Sequence, residues 1–182
     1  MDPRTKEICT VLKTYPDFPK KGILFCDVMP IFRKPDVFRN LVDLFAERVR
    51  SSVPNVQIIA GIEARGFLMG PALALALNVP FVPIRKAGKL PGNVKSQAYS
   101  LEYGEDKLEM QVESITSGQN VVLIDDLLAT GGSMKAAVNL IQAAGASVAM
   151  CLVIVEIEEL LGRQKLNVPI FSLIPFSAVV KS

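Results

Sequence analysis

Val121–Ser133, VVLIDDLLATGGS, carries an apolar run straight into two adjacent acids and then into a Thr-Gly-Gly-Ser turn that opens a helical pattern over Gly132–Ala144. The continuity of the apolar residues predicts a strand buried on both faces, the kind found in parallel sheets. The turn favours anions. Glycines let the backbone approach a ligand, the N–H groups at a helix start point outward, and the hydroxyls of Thr130 and Ser133 add donors, so a phosphate fits there. Adjacent carboxylates would repel it, unless Asp125 and Asp126 accept hydrogen bonds from sugar hydroxyls or hold a magnesium ion on a ligand that carries both a ribose and a phosphate. A structural alternative stands beside this: the two acids end a strand and Thr130 or Ser133 caps a helix.

Further strands are predicted at Val56–Ala60, Phe81–Ile84 and Ser147–Val155, with helical patterns at 36–50 and Gly66–Leu77. Strand and helix alternate, which gives the fold class α/β: an open, mostly parallel sheet flanked by helices. A hairpin with one wet face is expected at 99–112, where Leu108, Met110 and Val112 alternate with polar residues. Ligands of such sheets bind beyond the carboxyl ends of the strands, so the loops after Ala60, Ile84 and Ile124 should meet.

Composition removes many chemistries. With 182 residues, 50% of them hydrophobic, the chain reads as a single domain over 1–182. It contains no histidine, which excludes a Ser-His-Asp triad, a Cys-His dyad and an HExxH zinc site. Proton transfer must fall to Asp, Glu, Lys, Tyr or Cys. The three cysteines, Cys9, Cys26 and Cys151, are widely spaced and suit a reducing compartment. A net charge of +2, 7% aromatic residues and no Trp argue against nucleic acid. The start MDPRTKEI mixes charges, and the longest apolar run, Val148–Val155, is far short of a membrane span. A cytoplasmic protein that contacts no membrane is expected.

Charge is partitioned along the chain. Residues 64–101 hold Arg65, Arg85, Lys86, Lys89 and Lys95 and no acid, whereas 102–182 hold 5 cations and 10 acids. Arg65 lies in GIEARG directly after a strand, where a backbone nest and a guanidinium would hold an anion; a Glu63–Arg65 salt bridge is the plain alternative. Arg85–Lys95, RKAGKLPGNVK, reads as a mobile basic lid or as a solvated loop. Glu102 is the first acid beyond it and a candidate proton-transfer group, or an outward charge on the hairpin.

DDLLATGG with its strand and helix resembles the ribose-phosphate signature of the type I phosphoribosyltransferases. GIEARGF, VPIRKAGKLPG and YSLEYG resemble the adenine-specific members, and the likeness runs from YPDFPKKGILFCD at Tyr15–Asp27 to FSLIP at Phe171–Pro175. The resemblance implies transfer of ribose 5-phosphate from phosphoribosyl pyrophosphate to adenine, giving AMP and pyrophosphate, with Mg²⁺ bound mainly through the substrate and no metal ligand set of the protein's own. It implies ribose contacts from Asp125 and Asp126, and 5′-phosphate contacts from Ala129, Thr130, Gly131, Gly132 and Ser133. Pyrophosphate would fall to Arg65, Arg85, Lys86, Lys89 and Tyr103, and the proton at the purine ring to Glu102.

The same resemblance makes residues 1–34 an N-terminal helix and base-binding hood and 85–112 a flexible loop and hairpin. Leu24 and Cys26 would meet adenine through the backbone, with Phe25 stacking on it. It also implies a cis Glu63–Ala64 bond and a homodimer. Two positions depart from the pattern. Cys26 stands where the family usually carries Arg, so any role of that guanidinium is absent, and Ser133 replaces a commoner Thr while keeping the hydroxyl. The rival readings are a phosphoribosyltransferase for hypoxanthine, guanine or xanthine, and a DNA-binding sensor of phosphoribosyl pyrophosphate. The second lacks a basic recognition helix among the roughly 55 residues expected before the first strand.

Overall fold

A computed structural model gives the protein's structure over residues 2–100 and 105–180. The N-terminal part comprises α1 (Pro3–Val11), β1 (Lys13–Pro16), β2 (Leu24–Asp27), α2 (Met29–Phe32) and α3 (Pro35–Ser52). The body follows as β3 (Ile58–Ile62), α4 (Gly66–Leu77), β4 (Phe81–Lys86), β5 (Val94–Ser100), β6 (Glu105–Gln111), β7 (Asn120–Leu128), α5 (Gly132–Ala143), β8 (Ser147–Glu156), β9 (Ile170–Pro175) and α6 (Phe176–Val180).

Seven strands form one sheet in the order β5-β6-β4-β3-β7-β8-β9. From β4 to β9 all neighbours are parallel, and β6 and β5 extend the sheet antiparallel beyond β4. The expected α/β sheet is therefore present, with a hairpin on its edge. Each central strand serves two cores. On β7, Val122 and Ile124 join a core shared with α1, α3 and α4, while Val121 and Leu123 join another under α5. On β8 a register shift opposite Val121 and Val122 breaks the alternation, so that Val148 lies in the α5 core, Met150 in the other, and Cys151 back under α5.

α3 follows from its sequence. Pro35 at the first turn and Asp36 beside it suit a helix start, and Arg50 suits its end. Val37, Leu41, Phe45 and Val49 recur every fourth residue and are all buried.

Three expectations need correction. Strands exist before residue 56: β1 and β2 pair antiparallel as a separate two-stranded sheet. They are four residues long, β1 is mostly exposed and β2 fully buries only Cys26, so neither carries the long apolar run that marks a buried strand. β9 was also not expected, although its FSLI core is apolar. Finally, the loop expected over 85–95 is shorter. Arg85 and Lys86 end β4, paired with Glu109 and Leu108, and β5 begins at Val94 opposite Gln111. Charge in this segment hid a strand whose hydrogen bonds, rather than buried side chains, hold it to the sheet.

Candidate active site

β4 lies on one side of β3 and β7 on the other, so the chain reverses its direction of sheet growth at β3. Such a switch point leaves a crevice at the carboxyl ends of the two strands, and it opens between β3 and β7. Gly66 closes the base of the crevice: a Cβ there would come within 2.6 Å of the Ile124 carbonyl oxygen, so only glycine lets α4 begin this close to β7.

The result is a cavity of about 560 Å³ lined by Arg65, Asp125, Asp126, the whole of Ala129–Ser133, and Lys20, Tyr99, Leu127, Leu128 and Met134. The seven residues assigned to ribose and 5′-phosphate and the Arg65 assigned to pyrophosphate thus share one wall-to-wall site. Arg65 Nε donates to Asp126 Oδ2 at 2.5 Å, which replaces the Glu63–Arg65 pair that the sequence left open. Asp126 is 3% exposed, and Arg65 is the ion partner that makes its burial tolerable. Asp125 differs. Burial, then the neighbouring Asp126 carboxylate, raises its carboxyl well above the usual range, and its Oδ1 accepts from the Asp126 N–H at 2.9 Å. An acceptor this costly to charge gains from donors such as sugar hydroxyls.

Gly131 caps α5 at a φ of 79°, a left-handed conformation open chiefly to glycine, and the first residues of the helix line the cavity. The helix start therefore directs its leading N–H groups at whatever occupies the site.

The other basic residues collect elsewhere. Glu63 accepts from Arg85 Nε at 3.2 Å and Nη2 at 3.1 Å, from the Lys86 N–H at 3.1 Å and from Lys89 Nζ at 2.8 Å. The Arg85 hydrogen bonds lead in holding its carboxyl down to about 2, against the opposing effect of burial. Lys86 Nζ lies 3.0 Å from Asp106 Oδ2, which also accepts from the Tyr99 hydroxyl at 3.1 Å. Burial, then Asp106, pushes that hydroxyl up to about 12, so Tyr99 is a donor and not a base at neutral pH. Tyr99 thereby connects the cavity to the cation cluster. The acid-free block is not a bare positive surface; acids from outside it, Glu63, Asp106 and Asp126, supply counter-charges. The Glu63–Ala64 bond is cis, as the resemblance implied.

In the hood, Leu24 is exposed, and Phe25 meets Phe18 edge to face with centroids 5.0 Å apart. Cys26 is buried, and burial followed by the Asp126 carboxylate pushes its thiol up to about 11. Cys26 is thus an apolar filler whose thiol stays protonated. None of Leu24, Phe25 and Cys26 lines the cavity. Glu102 and Tyr103 lie outside the described residues. The sequence reading missed Lys20 and Tyr99 as lining residues. Lys20 sits in the FPKKG turn, where the two adjacent lysines were the available signal, and Tyr99 was assigned only to the hairpin.

A family model described as a phosphoribosyl transferase domain matches residues 28–179. The chain is 49% identical over 171 residues to the adenine phosphoribosyltransferase of Eremothecium gossypii, covering 93% of this chain and 91% of that protein. Its fold matches the Saccharomyces cerevisiae adenine phosphoribosyltransferase complexed with D-2,5-dideoxy-2,5-imino-altritol 1,6-bisphosphate and adenine, with a TM-score of 0.92 and 46% identity over 94% of this chain and 98% of that one. The Trypanosoma brucei adenine phosphoribosyl transferase in complex with AMP, pyrophosphate and ribose-5-phosphate matches with a TM-score of 0.89 and 35% identity, over 97% of this chain and 81% of that one. The chain belongs to the phosphoribosyl transferase domain family, among its adenine phosphoribosyltransferases.

Proposed function

We propose that the protein transfers ribose 5-phosphate from phosphoribosyl pyrophosphate to adenine, releasing pyrophosphate and forming AMP in purine salvage. The observation that carries this reading is the single cavity that joins the Asp125–Asp126 pair, the Ala129–Ser133 helix start and Arg65. A sugar phosphate spans that set, with its 5′-phosphate on the helix start and its hydroxyls on the carboxylates. The relatives complexed with adenine, AMP, pyrophosphate and ribose-5-phosphate support the assignment of both substrates.

Breaking the bond from C1′ to pyrophosphate develops positive charge on the ribose and negative charge on the leaving group. Asp125 and Asp126 lie on the side where the sugar's charge grows, and Arg65 on the side where the anion departs. Arg85, Lys86, Lys89 and Tyr103 receive pyrophosphate, which requires Arg85 and Lys89 to exchange Glu63, and Lys86 to exchange Asp106, for the leaving group. As the purine ring nitrogen bonds C1′ it loses its proton, and Glu102 takes it. Adenine lies against β2, with Phe25 on its face and the backbone of Leu24 and Cys26 at its edge.

Among the described residues no group of three or more Cys, Asp or Glu side chains gathers to hold a metal alone. The available donors, Asp125 and Asp126 with the latter engaged by Arg65, fit an ion shared with substrate phosphates, which is how Mg²⁺ is commonly bound. When bound, Mg²⁺ supplies charge neutralisation for the departing pyrophosphate.

The protein forms a homodimer in this reading, and α4 supports it: Met69 and Leu73 are buried while Leu68 and Leu75 are 40% and 83% exposed, so the helix serves its own core and still offers an apolar face. Three free, buried thiols support a cytoplasmic, reducing location. Among the described residues no helix is long and apolar enough to cross a membrane.

Glu102→Gln tests the chemistry. AMP formation should slow by about 100-fold or more, within the usual range for a proton-transfer group, while phosphoribosyl pyrophosphate binds with little change. Unchanged turnover where chemistry limits the rate would remove Glu102 from the role.

A further inference from the structure

A turn thirty residues beyond the phosphate loop forms its support. After β8 the chain passes Glu158–Leu160, reaches Leu161 at a φ of 52°, and enters the tight turn Gly162–Lys165. Leu161 is a bulky residue in the left-handed region, and it turns the Gly162 backbone onto the loop. A Cβ built at Gly162 would fall 2.1 Å from the Ala129 carbonyl oxygen and 2.9 Å from the Gly131 nitrogen. A Cβ built at Gly131 would fall 2.6 Å from the Gly162 carbonyl oxygen. The two backbones touch with no room for a side chain on either.

The turn is fixed from its far side. Arg163 donates from Nε to Glu156 Oε1 at 2.9 Å, from Nη2 to Glu156 Oε2, and from Nη1 to the Ile170 carbonyl at 2.8 Å. Glu156 is 8% exposed at the end of β8, in register with Leu128 at the end of β7. Ile157 N–H donates to the Leu128 carbonyl at 2.9 Å, tying the same two ends together. A two-pronged Arg–carboxylate pair fixes direction as well as distance. Neither Gly162, Arg163 nor Glu156 lines the cavity.

We propose that Gly162, clamped by the Arg163–Glu156 pair, is a positioning residue for the 5′-phosphate: it backs the 129–131 loop so that the N–H groups of Gly131–Ser133 hold one geometry toward the ligand. The proposal rests on the assignment of that loop to the 5′-phosphate. Any side chain at 162 must drive Ala129 and Gly131 away from their places, and displacement of donors by about 1 Å is enough for large losses.

The test uses ribose 5-phosphate as probe, by calorimetry on the full chain, together with KM for phosphoribosyl pyrophosphate and for adenine. Gly162→Ala should weaken ribose 5-phosphate binding about tenfold or more, as loss of hydrogen bonds to a charged group does, and raise KM for phosphoribosyl pyrophosphate in parallel while KM for adenine stays within about twofold. Arg163→Lys keeps the charge but loses the fork, so it should shift the same two constants in the same direction by less, and it stands in if Gly162→Ala does not fold. A role in stability alone would lower the active fraction, hence kcat, and leave the ribose 5-phosphate Kd untouched; that result overturns the proposal. Thr130→Asp, which sets a carboxylate in the loop against any bound phosphate, separates the two layers. If it weakens the probe while the variants at 162 and 163 bind as wild type, the loop assignment stands and the positioning role falls; if Thr130→Asp also binds as wild type, the loop assignment falls and takes the positioning role with it.

Discussion

Asp125 and Asp126 are neighbours in sequence with opposite situations. Asp126 is matched by Arg65, whereas Asp125 meets burial and a like charge. Because its folded value is raised, the fold favours protonated Asp125; its contribution to stability is complete below its unfolded value of about 3.8 and is lost as pH rises through the folded one. Asp125→Asn keeps an oxygen for the Asp126 N–H and removes the charge. It should raise Tm by a few degrees at about pH 8, the shift expected of about 1 kcal/mol in a chain of this size, with the gap to wild type closing toward about pH 4. AMP formation should fall in the same variant. A Tm that is lower at alkaline pH, or a gap independent of pH, would show that Asp125 is not a strained charge. At this scale the sequence announced these cavity-lining residues but not their pairing: Arg65 could be read against Glu63 or an anion, and only the closeness of β3 to β7 gives it Asp126.

At the scale of elements, α4 sits on the sheet by the removal of side chains. Phe81 occupies the space that Cβ atoms at Gly61 and Gly70 would need, at 2.8 and 2.3 Å from its ring, and it meets Phe67 edge to face at 5.9 Å. Gly70→Ala gains about 1 kcal/mol of helix propensity, yet it should destabilise by about 1–3 kcal/mol net, because the Phe81 ring must leave its contact with Phe67 to make room. Denaturant titration checks it, and adding Phe81→Leu should restore part of the loss. A stabilised Gly70→Ala would mean that the ring shifts freely.

The same scale explains what was legible. β7 and β8 and the helices α3 and α5 announce themselves because burial on two faces or on one helical stripe leaves a pattern in the residues, while α4 shows through its Ala- and Leu-rich run of helix formers. β1, β2 and β5 are held by backbone pairing at edges and in the hood, where polar and charged side chains are allowed. The contact of Gly162 with Ala129 is invisible for a related reason. A glycine that fits against backbone leaves no partner residue to read, and LLGRQKL looks like any turn.

For the whole molecule, the switch point at β3 is what turns scattered motifs into one site. It places the β3 turn with Arg65 beside the β7 carboxylates and the α5 start. The five cations of the acid-free block, counted as an anion trap, arrive instead with partners in place: Glu63, Asp106, Asp126 and the Ala143 carbonyl that receives Lys95. Charge along a chain does not report charge in space, since the counter-ions come from segments on either side. The DDLLATGG segment speaks for the sugar phosphate alone, so in the proposed reading the choice of base falls to the N-terminal segment, where the resemblance sets Cys26 in the place of an Arg.

That choice is decided by measuring pyrophosphate release from phosphoribosyl pyrophosphate and Mg²⁺ with adenine, hypoxanthine, guanine or no base in parallel. Release with adenine alone, matched by an equal amount of AMP, is the predicted result and shows that the hood works with Cys26. Release with another base, or none with adenine despite bound phosphoribosyl pyrophosphate, contradicts the account.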